Sequence, residues 1–260
     1  MTTAHIPTVL CFSGHDPSGG AGVQSDIEVL THFNCHPCSV LTCLTVQDSA
    51  TVHRLIPLSA NDMVEQANTL LNDISIDVIK IGLTGSVKCV EAIAQLIQQH
   101  PHLPVVFDPV LASGDGTSLA SKALIASIQL HLLPLVTVLT PNSLEARQLT
   151  GLTPTASNEQ LGQQLLSLGV EYVLITGGHD SGNLICNTLF HNSRLIDKSN
   201  WPRLAGEFHG SGCTLATAIA AQIALGKPIR KAIQVAQQYT DHSLRNAVQI
   251  GKGQLFPNRT

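Results

Sequence analysis

Short runs of apolar and β-branched residues alternate with longer amphipathic segments along nearly the whole chain of 260 residues. The runs that we predict as strands are 8–13, 39–46, 77–81, 105–110, 136–139 and 172–176. The segments that we predict as helices are 21–33, 61–72, 87–98, 118–129, 143–149 and 158–168, with two longer helices from Cys213 and from about Pro228. Strands that alternate with helices in this way pair in parallel, and the helices cover both faces of the sheet. The sequence therefore predicts an α/β fold with a mostly parallel central sheet.

The chain shows no linker, internal repeat or low-complexity tract, so we expect one domain spanning residues 1–260. One departure from the alternation is predicted inside this domain. Residues 183–190 and 194–196 have the pattern of two strands, and the polar pair Asn192 and Ser193 between them is typical of a turn. We therefore expect an antiparallel excursion at this point of the sheet.

Charge and hydropathy exclude several classes of partner. The net charge is −4 and no basic cluster is present, so we expect no nucleic acid partner. No run reaches the roughly 18 apolar residues of a membrane span, and the N-terminus lacks the basic and apolar segments of a signal peptide. Seven cysteines, an odd number scattered along the chain, fit reduced thiols, so we expect a cytoplasmic protein. Cys35 and Cys38 lack the second pair that a zinc site needs, and we interpret them as loop and core cysteines.

Residues 210–214 (GSGCT) place a Gly-x-Gly turn directly before a predicted helix. The first amides of a helix have no partner inside the helix and lie at the positive end of its dipole, so they favour a phosphate or an oxyanion. Cys213 stands at this helix start, where we expect the pKa of a thiol to be lowered. The structural alternative is a glycine-rich loop before an ordinary core helix with one buried cysteine.

A second glycine-rich loop, residues 14–22, has four glycines in nine positions after the first predicted strand. It lacks the lysine of a Walker loop and the third glycine of a dinucleotide-binding loop, so neither of those phosphate sites is supported. Asp26 follows on the next helix. By position alone it is interpreted as an acid near the helix start, favoured by the helix dipole.

Polar or glycine residues also follow most of the other predicted strands, and ligands of parallel sheets bind beyond such strand ends. Gln47 has an amide that matches the edge of an aminopyrimidine, or it is simply a surface residue. Asp108 and Glu145 carry the oxygens that magnesium prefers. Helix capping is the structural alternative for both, with Asn142 as a further capping candidate. Residues 176–178 (TGG) allow the close approach of a ligand to the backbone.

The motifs taken together resemble those of the hydroxymethylpyrimidine/phosphomethylpyrimidine kinases, which are thiamine-pathway enzymes of the ribokinase-like superfamily. Residues 14–26 (GHDPSGGAGVQSD) and 209–215 (HGSGCTL) carry the most specific resemblance. Supporting motifs are found in the family's order at 45–47 (TVQ), 80–82 (KIG), 108–110 (DPV), 140–142 (TPN) with 145–146 (EA), and 251–259. The resemblance covers nearly the whole chain.

This resemblance implies a three-layer α/β/α ribokinase-like fold, ATP and Mg²⁺ as cofactors, and a homodimer. It implies phosphorylation of 4-amino-5-hydroxymethyl-2-methylpyrimidine and then of its monophosphate. The residues that it places in the pyrimidine pocket are Gly14, Asp26, Gln47, Leu83 and Val110. At the Mg²⁺ ion the resemblance places Asp108 and Glu145. At the nucleotide it places Asn142, Thr176 and Gly178. Those that it places in the catalytic anion hole are Gly210, Ser211, Gly212 and Cys213, with Cys213 as the base for the acceptor hydroxyl.

Three positions depart from the family pattern. Leu83 stands where a methionine is common, which is a small apolar change. Thr176 and Gln237 stand near positions where the family often has lysines, so positive charge is missing where nucleotide phosphates are expected. The alternatives are a pyridoxal kinase of the same superfamily, or a pyrimidine- or nucleotide-binding protein without catalytic activity. Cys213 within an intact Gly-x-Gly turn favours a kinase.

Overall fold

The computed structural model describes residues 5–113, 116 and 119–260, and in these residues nine strands form one sheet. The strands are β1 (Thr8–His15), β2 (His36–Gln47), β3 (Val52–Pro57), β4 (Val78–Ile81), β5 (Val105–Phe107), β6 (Val138–Leu139), β7 (Tyr172–Ile175), β8 (Leu184–His191) and β9 (Arg194–Pro202). Their order across the sheet is β3-β2-β1-β4-β5-β6-β7-β8-β9. Neighbouring strands from β2 to β7 are parallel, whereas β3, β8 and β9 run antiparallel to their neighbours. This topology confirms the predicted α/β fold with a mostly parallel sheet.

Eight α-helices in the described residues pack on this sheet. They are α1 (Gly22–His32), α2 (Ala60–Asp73), α3 (Val87–Gln99), α4 (Lys122–Ser127), α5 (Ser143–Thr150), α6 (Asn158–Ser167), α7 (Ser211–Ala224) and α8 (Ile229–Arg245). None of the helices in these parts of the chain has the length and apolar character needed to cross a membrane.

The buried apolar side chains form two clusters, one on each face of the sheet. Helices α2 to α6 contribute to one cluster, and α1, α7 and α8 contribute to the other. Successive side chains of a strand point to opposite faces. In β1, accordingly, Leu10 and Phe12 belong to the first cluster, and Val9 and Cys11 to the second. Helices on both faces of one sheet make the three-layer α/β/α fold that the sequence resemblance implied.

The predicted antiparallel excursion is confirmed as the hairpin of β8 and β9. Asn192 and Ser193 connect the strands with left-handed backbone angles, φ 51° and 58°, which suit the twist of a two-residue hairpin turn. The second strand is longer than predicted and continues to Pro202. The hairpin therefore extends the sheet by two antiparallel strands beyond β7.

Three elements differ from the sequence predictions. Strand β3 is not predicted because it pairs only with β2 at the sheet edge, so its polar residues are exposed and the strand pattern is weak. The strand predicted over 105–110 ends at Phe107, since Pro109 has no amide hydrogen to continue the ladder. The helix predicted over 118–129 begins at Ser118, which lies outside the described residues. The described part is α4, followed by a π-helical turn over Ile128–Leu132 and a 3-10 turn over Leu133–Leu135.

The six parallel strands direct their carboxyl ends to the same edge of the sheet. The loops after β1, β2, β4, β5, β6 and β7 are therefore neighbours in space although they are far apart in the chain. These loops carry the glycine-rich segment 14–22 and almost all of the polar residues that the sequence marks as candidates.

Candidate active site

The Gly-x-Gly segment forms the start of α7, as the sequence predicts. Gly210 is the N-cap of the helix and adopts a left-handed φ of 77°. A Cβ at Gly210 would lie only 2.0 Å from the carbonyl oxygen of Gly20, so only glycine fits there. No side chain in the described residues caps this helix start, and its first turn carries no acidic residue. The loop 210–213, called the anion loop below, thus combines the positive end of a helix with a close approach to the first glycine-rich loop.

Asp16 organises the first glycine-rich loop, and sequence reasoning assigned it no role. Its carboxylate accepts hydrogen bonds from the amides of Ser18 and Ala21 at 2.8 and 2.9 Å. His209 Nε2 donates to the same carboxylate at 2.7 Å. Burial raises the pKa of Asp16, but the hydrogen bonds from His209 and Ser18 outweigh it and lower the pKa overall. Asp16 therefore stays ionised and ties this loop to the residue that precedes the anion loop.

Gln47 lies at the carboxyl end of β2, partly buried, with its amide nitrogen 3.2 Å from His209 Nε2. Gly14 and Leu83 meet nearby, since a Cβ at Gly14 would lie 3.3 Å from the Leu83 Cδ2 atom. Val110 follows β5 at the same sheet edge and is partly exposed. Gly14 and Gln47 lie at the ends of β1 and β2, and Leu83 and Val110 follow β4 and β5, so all four are at the carboxyl edge of the sheet. The contact between Gln47 and His209 is one that the sequence does not reveal.

Asp26 does not lie where the resemblance implied. It is the fifth residue of α1, beyond the first turn, and it is completely buried. Lys80 Nζ donates to both of its carboxylate oxygens, at 2.8 and 3.0 Å, and the hydroxyls of Ser13 and Thr217 donate to one oxygen each. Four hydrogen bonds from these three donor groups satisfy the carboxylate, so Asp26 has no surface for a pyrimidine in this structure. It is half of a buried ion pair instead.

Lys80 is the partner that sequence reasoning missed. It lies in the middle of β4 on the face that packs against α1 and α7, and none of it is exposed. Burial alone would lower the pKa of Lys80, but the Asp26 carboxylate more than compensates and raises it. The sequence does contain a signal for this ion pair: a single lysine interrupts the apolar run 78–81, and a buried lysine needs an acidic partner.

Two buried carboxylates, Asp108 and Glu145, lie at the end of β5 and in the first turn of α5. Burial raises the pKa of Asp108 to about 6, partly offset by Lys80. Burial and the Asp108 charge raise the pKa of Glu145 to about 7. Two carboxylates that resist ionising together favour a cation between them. The predicted pairing of Asp108 with Glu145 is therefore supported by their electrostatics.

Glu145 and Asn142 also form the helix cap that the sequence offered as the structural alternative. Asn142 Oδ1 accepts from the amides of Leu144 and Glu145, each at 2.9 Å. Glu145 Oε2 accepts from the Asn142 amide at 2.9 Å, and Oε1 accepts from the Leu111 amide at 3.2 Å. Each carboxylate oxygen has two lone pairs, so capping leaves Glu145 free to bind a metal ion as well.

The residues at this site fit magnesium better than a metal ion that takes all of its ligands from the protein. Within the described ranges, no group of three or more His, Cys, Asp or Glu side chains is arranged to hold a metal ion. Magnesium is usually bound by one or two carboxylates together with water and substrate phosphates. The pair Asp108 and Glu145 matches that donor set.

The predicted thiolate at Cys213 is contradicted by the structure. Burial and the neighbouring Asp108 carboxylate raise the pKa of Cys213 to about 12, and Lys80 only partly opposes them. The thiol lies beside the Asp108 carboxylate and near the Gly22 amide. The helix start is present, as predicted, but a carboxylate next to the sulfur outweighs the helix dipole, and the thiol stays protonated.

The proposed nucleotide residues lie beyond β6 and β7. Thr176 pairs with Asn142 in a short parallel bridge. Gly178 presents its carbonyl oxygen to Arg203 Nη1 at 2.7 Å, and Arg203 also donates to the carbonyl oxygens of Asp180 and Gly182. Arg203 is a cation at this loop that sequence reasoning did not single out.

Gln237, at a position where the sequence lacks an expected lysine, is buried in a neutral network. Its Oε1 atom accepts from Asn187 Nδ2 at 2.8 Å and from Trp201 Nε1 at 3.2 Å. Asn187 Oδ1 in turn accepts from the Gly177 amide at 3.1 Å. Gln237 thus acts on the loop after β7 through hydrogen bonds and adds no positive charge there.

Comparisons with known proteins agree with this geometry. A sequence model of the family "Phosphomethylpyrimidine kinase" matches residues 16–258. A hydroxymethylpyrimidine/phosphomethylpyrimidine kinase of Bacillus subtilis is 31% identical over 251 residues, covering 95% of this chain and 93% of that protein. A protein of the same name from Synechococcus elongatus is 34% identical over 252 residues, covering 96% and 95%. Among solved structures, an ADP complex of Bacillus subtilis pyridoxal kinase is similar with a TM-score of 0.91 and 25% identity over 98% of both chains.

Proposed function

Because the chain belongs to the phosphomethylpyrimidine kinase family, we propose that it transfers the γ-phosphoryl group of ATP to the hydroxymethyl group of 4-amino-5-hydroxymethyl-2-methylpyrimidine. We propose the resulting monophosphate as a second acceptor, giving the diphosphate used in thiamine biosynthesis. The pyrimidine kinases that match this chain over nearly its full length support both acceptors through their names.

The observation that carries the proposal is the meeting of the anion loop with the buried carboxylates. A Cβ at Gly212 would lie 3.5 Å from Asp108 Oδ2, so the helix start and the carboxylate face the same small space. Phosphoryl transfer needs donors for the oxygens of the moving group and a cation for the charge of the phosphates. The anion loop provides the first, and Asp108 with Glu145 would hold the second.

Magnesium is the cation that we propose at Asp108 and Glu145. When bound, it supplies positive charge to the phosphate oxygens during transfer. Asn142, Thr176 and Gly178 are proposed to contact the nucleotide, since Thr176 bridges Asn142 and the Gly178 loop is held by Arg203. The ADP in the similar pyridoxal kinase structure supports nucleotide binding in this fold.

In the proposed reaction, the hydroxymethyl oxygen of the acceptor forms a bond to the γ-phosphorus while the bond to the β–γ bridging oxygen breaks, which leaves ADP and releases the hydroxyl proton to solvent. Gly14, Gln47, Leu83 and Val110 would hold the pyrimidine ring, without Asp26. Cys213 would contact the acceptor hydroxyl as a thiol, because its pKa of about 12 leaves no thiolate at neutral pH. A loose transition state asks mainly for positioning and charge stabilisation, so an ionised base is not required.

Pyridoxal phosphorylation is the second candidate function, favoured by the similarity of the fold to pyridoxal kinase. An assay of ADP release with hydroxymethylpyrimidine, its monophosphate, pyridoxal and no acceptor separates the two. We expect turnover of both pyrimidines and much slower turnover of pyridoxal. Faster turnover of pyridoxal, or release of ADP that does not depend on an acceptor, would contradict the proposed function.

We also propose a homodimer and a cytoplasmic location. Among the residues that the structure describes, no strand pairs with the outer edge of β3, and such an edge is a surface on which a second copy can pair. All seven cysteines are free thiols in the structure, which supports a reducing compartment. Sedimentation at two protein concentrations tests the dimer, and a monomer at both would exclude it.

A further inference from the structure

Arg259 is buried directly behind the anion loop, although it lies far from that loop in the sequence. Only 3% of it is exposed. Its Nε donates to Thr214 Oγ1 at 3.0 Å, and its Nη2 donates to the carbonyl oxygen of Gly20. Thr214 Oγ1 itself donates to the Gly210 carbonyl at 2.8 Å. One guanidinium therefore contacts both glycine-rich loops at the point where they meet.

The positive charge of Arg259 is close to the anion loop itself. A Cβ at Gly210 would lie 2.9 Å from Arg259 Nη2, so the guanidinium is packed against the first residue of the loop. Its ion-pair partner is Glu28, with Nη1 2.9 Å from Oε2, and 47% of the Glu28 side chain is exposed. Solvent screens the charge of the Glu28 carboxylate, whereas the charge of the buried Arg259 guanidinium is screened much less. Arg259 therefore contributes positive charge directly behind the loop.

Other contacts hold the segment 253–260 without the guanidinium. The Arg259 carbonyl oxygen accepts from the Tyr239 hydroxyl at 2.9 Å, and the Asn258 amide donates to the Ser243 carbonyl at 3.0 Å. The Leu255 carbonyl accepts from the His209 amide at 2.9 Å. Because the backbone is anchored independently, the guanidinium is not needed merely to fix this segment.

We propose that Arg259 is a positioning residue for phosphoryl transfer: it holds the Gly20 carbonyl and the first turn of α7 together and makes the anion loop more positive. The proposal rests on the proposed function, since it assumes that the anion loop receives the transferred group. The fork of an arginine side chain can make these separate hydrogen bonds at once, which a lysine cannot.

The test compares Arg259→Gln and Arg259→Lys with Lys252→Gln, a matched loss of one positive charge from an exposed side chain of the same part of the chain. We expect Arg259→Gln to lower kcat by up to about 100-fold, as for displaced catalytic groups, with the KM values for ATP and pyrimidine nearly unchanged. Arg259→Lys keeps the charge and loses the fork, so we expect an intermediate kcat. Lys252→Gln should match the unmodified protein.

A binding measurement separates positioning from a structural role. Affinities for ADP alone and for ADP with aluminium fluoride, Mg²⁺ and the pyrimidine are measured well below the melting temperature. We expect Arg259→Gln to weaken binding of the fluoride complex and to leave the affinity for ADP unchanged. Equal weakening of both, or unchanged kcat and unchanged binding of the fluoride complex, would overturn the proposal.

Glu28→Gln provides a second variant in case Arg259→Gln does not fold. Removing the half-exposed counter-charge leaves the guanidinium in place, so binding of the fluoride complex should stay equal or become tighter. A fall in that affinity would contradict the role of the Arg259 charge. If the unmodified protein phosphorylates none of the pyrimidines, the proposed function fails, whereas the comparison of ADP with ADP, aluminium fluoride and Mg²⁺, measured without the pyrimidine, still tests Arg259.

Discussion

The Cys213 thiol lies beside the Asp108 carboxylate, whose charge helps to raise the pKa of the thiol, so the first turn of α7 meets the carboxyl end of β5. The same Asp108 charge raises the pKa of Glu145. A thiol, two carboxylates and a helix start therefore influence one another in one small region. Protons and a metal ion compete there for the same oxygens.

We expect Mg²⁺ to stabilise the protein more at about pH 8 than at about pH 5, because the carboxylate pair is charged only at the higher pH. The folded-state pKa values of Asp108 and Glu145, about 6 and 7, lie above their ordinary values of 3.8 and 4.5. The folded protein therefore binds more protons than the unfolded chain. Without Mg²⁺, the two protonated carboxyl groups stabilise the fold at low pH, and this contribution is lost as the pH rises through 6 and 7. Thermal melts with and without Mg²⁺ at both pH values measure the difference. Equal shifts would contradict it.

Glu145→Gln should raise the KM for magnesium–ATP and leave the KM for the pyrimidine nearly unchanged. Glutamine keeps the capping box of α5 and removes only the charge. The matched control is Gln160→Ala, which breaks the capping box of α6 away from the site and should leave both KM values unchanged. A parallel rise in both KM values for Glu145→Gln would assign the residue to structure alone.

Gln47→Leu should raise the KM for the pyrimidine and leave the KM for ATP nearly unchanged. A site that hydrogen-bonds its ligand loses about 1–3 kcal/mol when one partner is left unpaired. His209 keeps its hydrogen bond to Asp16 in this variant, so the loop geometry is retained. Steady-state kinetics with each substrate varied in turn provide the measurement. Equal effects on both substrates would make Gln47 a structural residue.

Cys213→Ala should lower kcat by less than the roughly 100-fold or more that a general base contributes. The reason is that the pKa of Cys213 is raised to about 12, so the thiol is protonated throughout the neutral range. The pH profile of kcat should accordingly show no thiol ionisation near neutrality. Alkylation, followed by mass spectrometry in a Cys186→Ala background, should modify Cys213 slowly. A loss of roughly 1,000-fold in kcat would restore the role of a base.

Lys80→Met should destabilise the fold by about 3–5 kcal/mol, because it leaves the Asp26 charge buried without its partner. Asp26→Leu should also destabilise it, by leaving the lysine unpaired. The double variant Lys80→Met with Asp26→Leu should cost less than the sum of the single changes, since no unpaired charge remains. Urea unfolding of the three variants measures this coupling. If the losses in unfolding free energy of the two single variants added up to that of the double variant, the interaction between Lys80 and Asp26 would not stabilise the fold.

The strand and helix pattern was predictable because it depends on local periodicity. Apolar runs such as 8–13 and 172–176 form buried parallel strands because helices cover both faces of the sheet. The turn between β8 and β9 was predictable because its conformation depends only on Asn192 and Ser193 themselves. The glycine at 210 was recognisable because a helix start with a close backbone approach requires it. The edge strand β3 escaped prediction because it has only one neighbour and a weak pattern.

The sequence by itself thus determined the layers, the alternation of strands and helices, and which polar residues follow the parallel strands at one edge of the sheet. Only the tertiary structure decided what those residues contact. Asp26 pairs with Lys80 across 54 positions, and Arg259 reaches Gly20 across 239. Such contacts depend on the register of distant elements, which local patterns do not contain. The protonation of Cys213 was decided in the same way, because Asp108 belongs to another loop and its charge outweighs the local helix dipole.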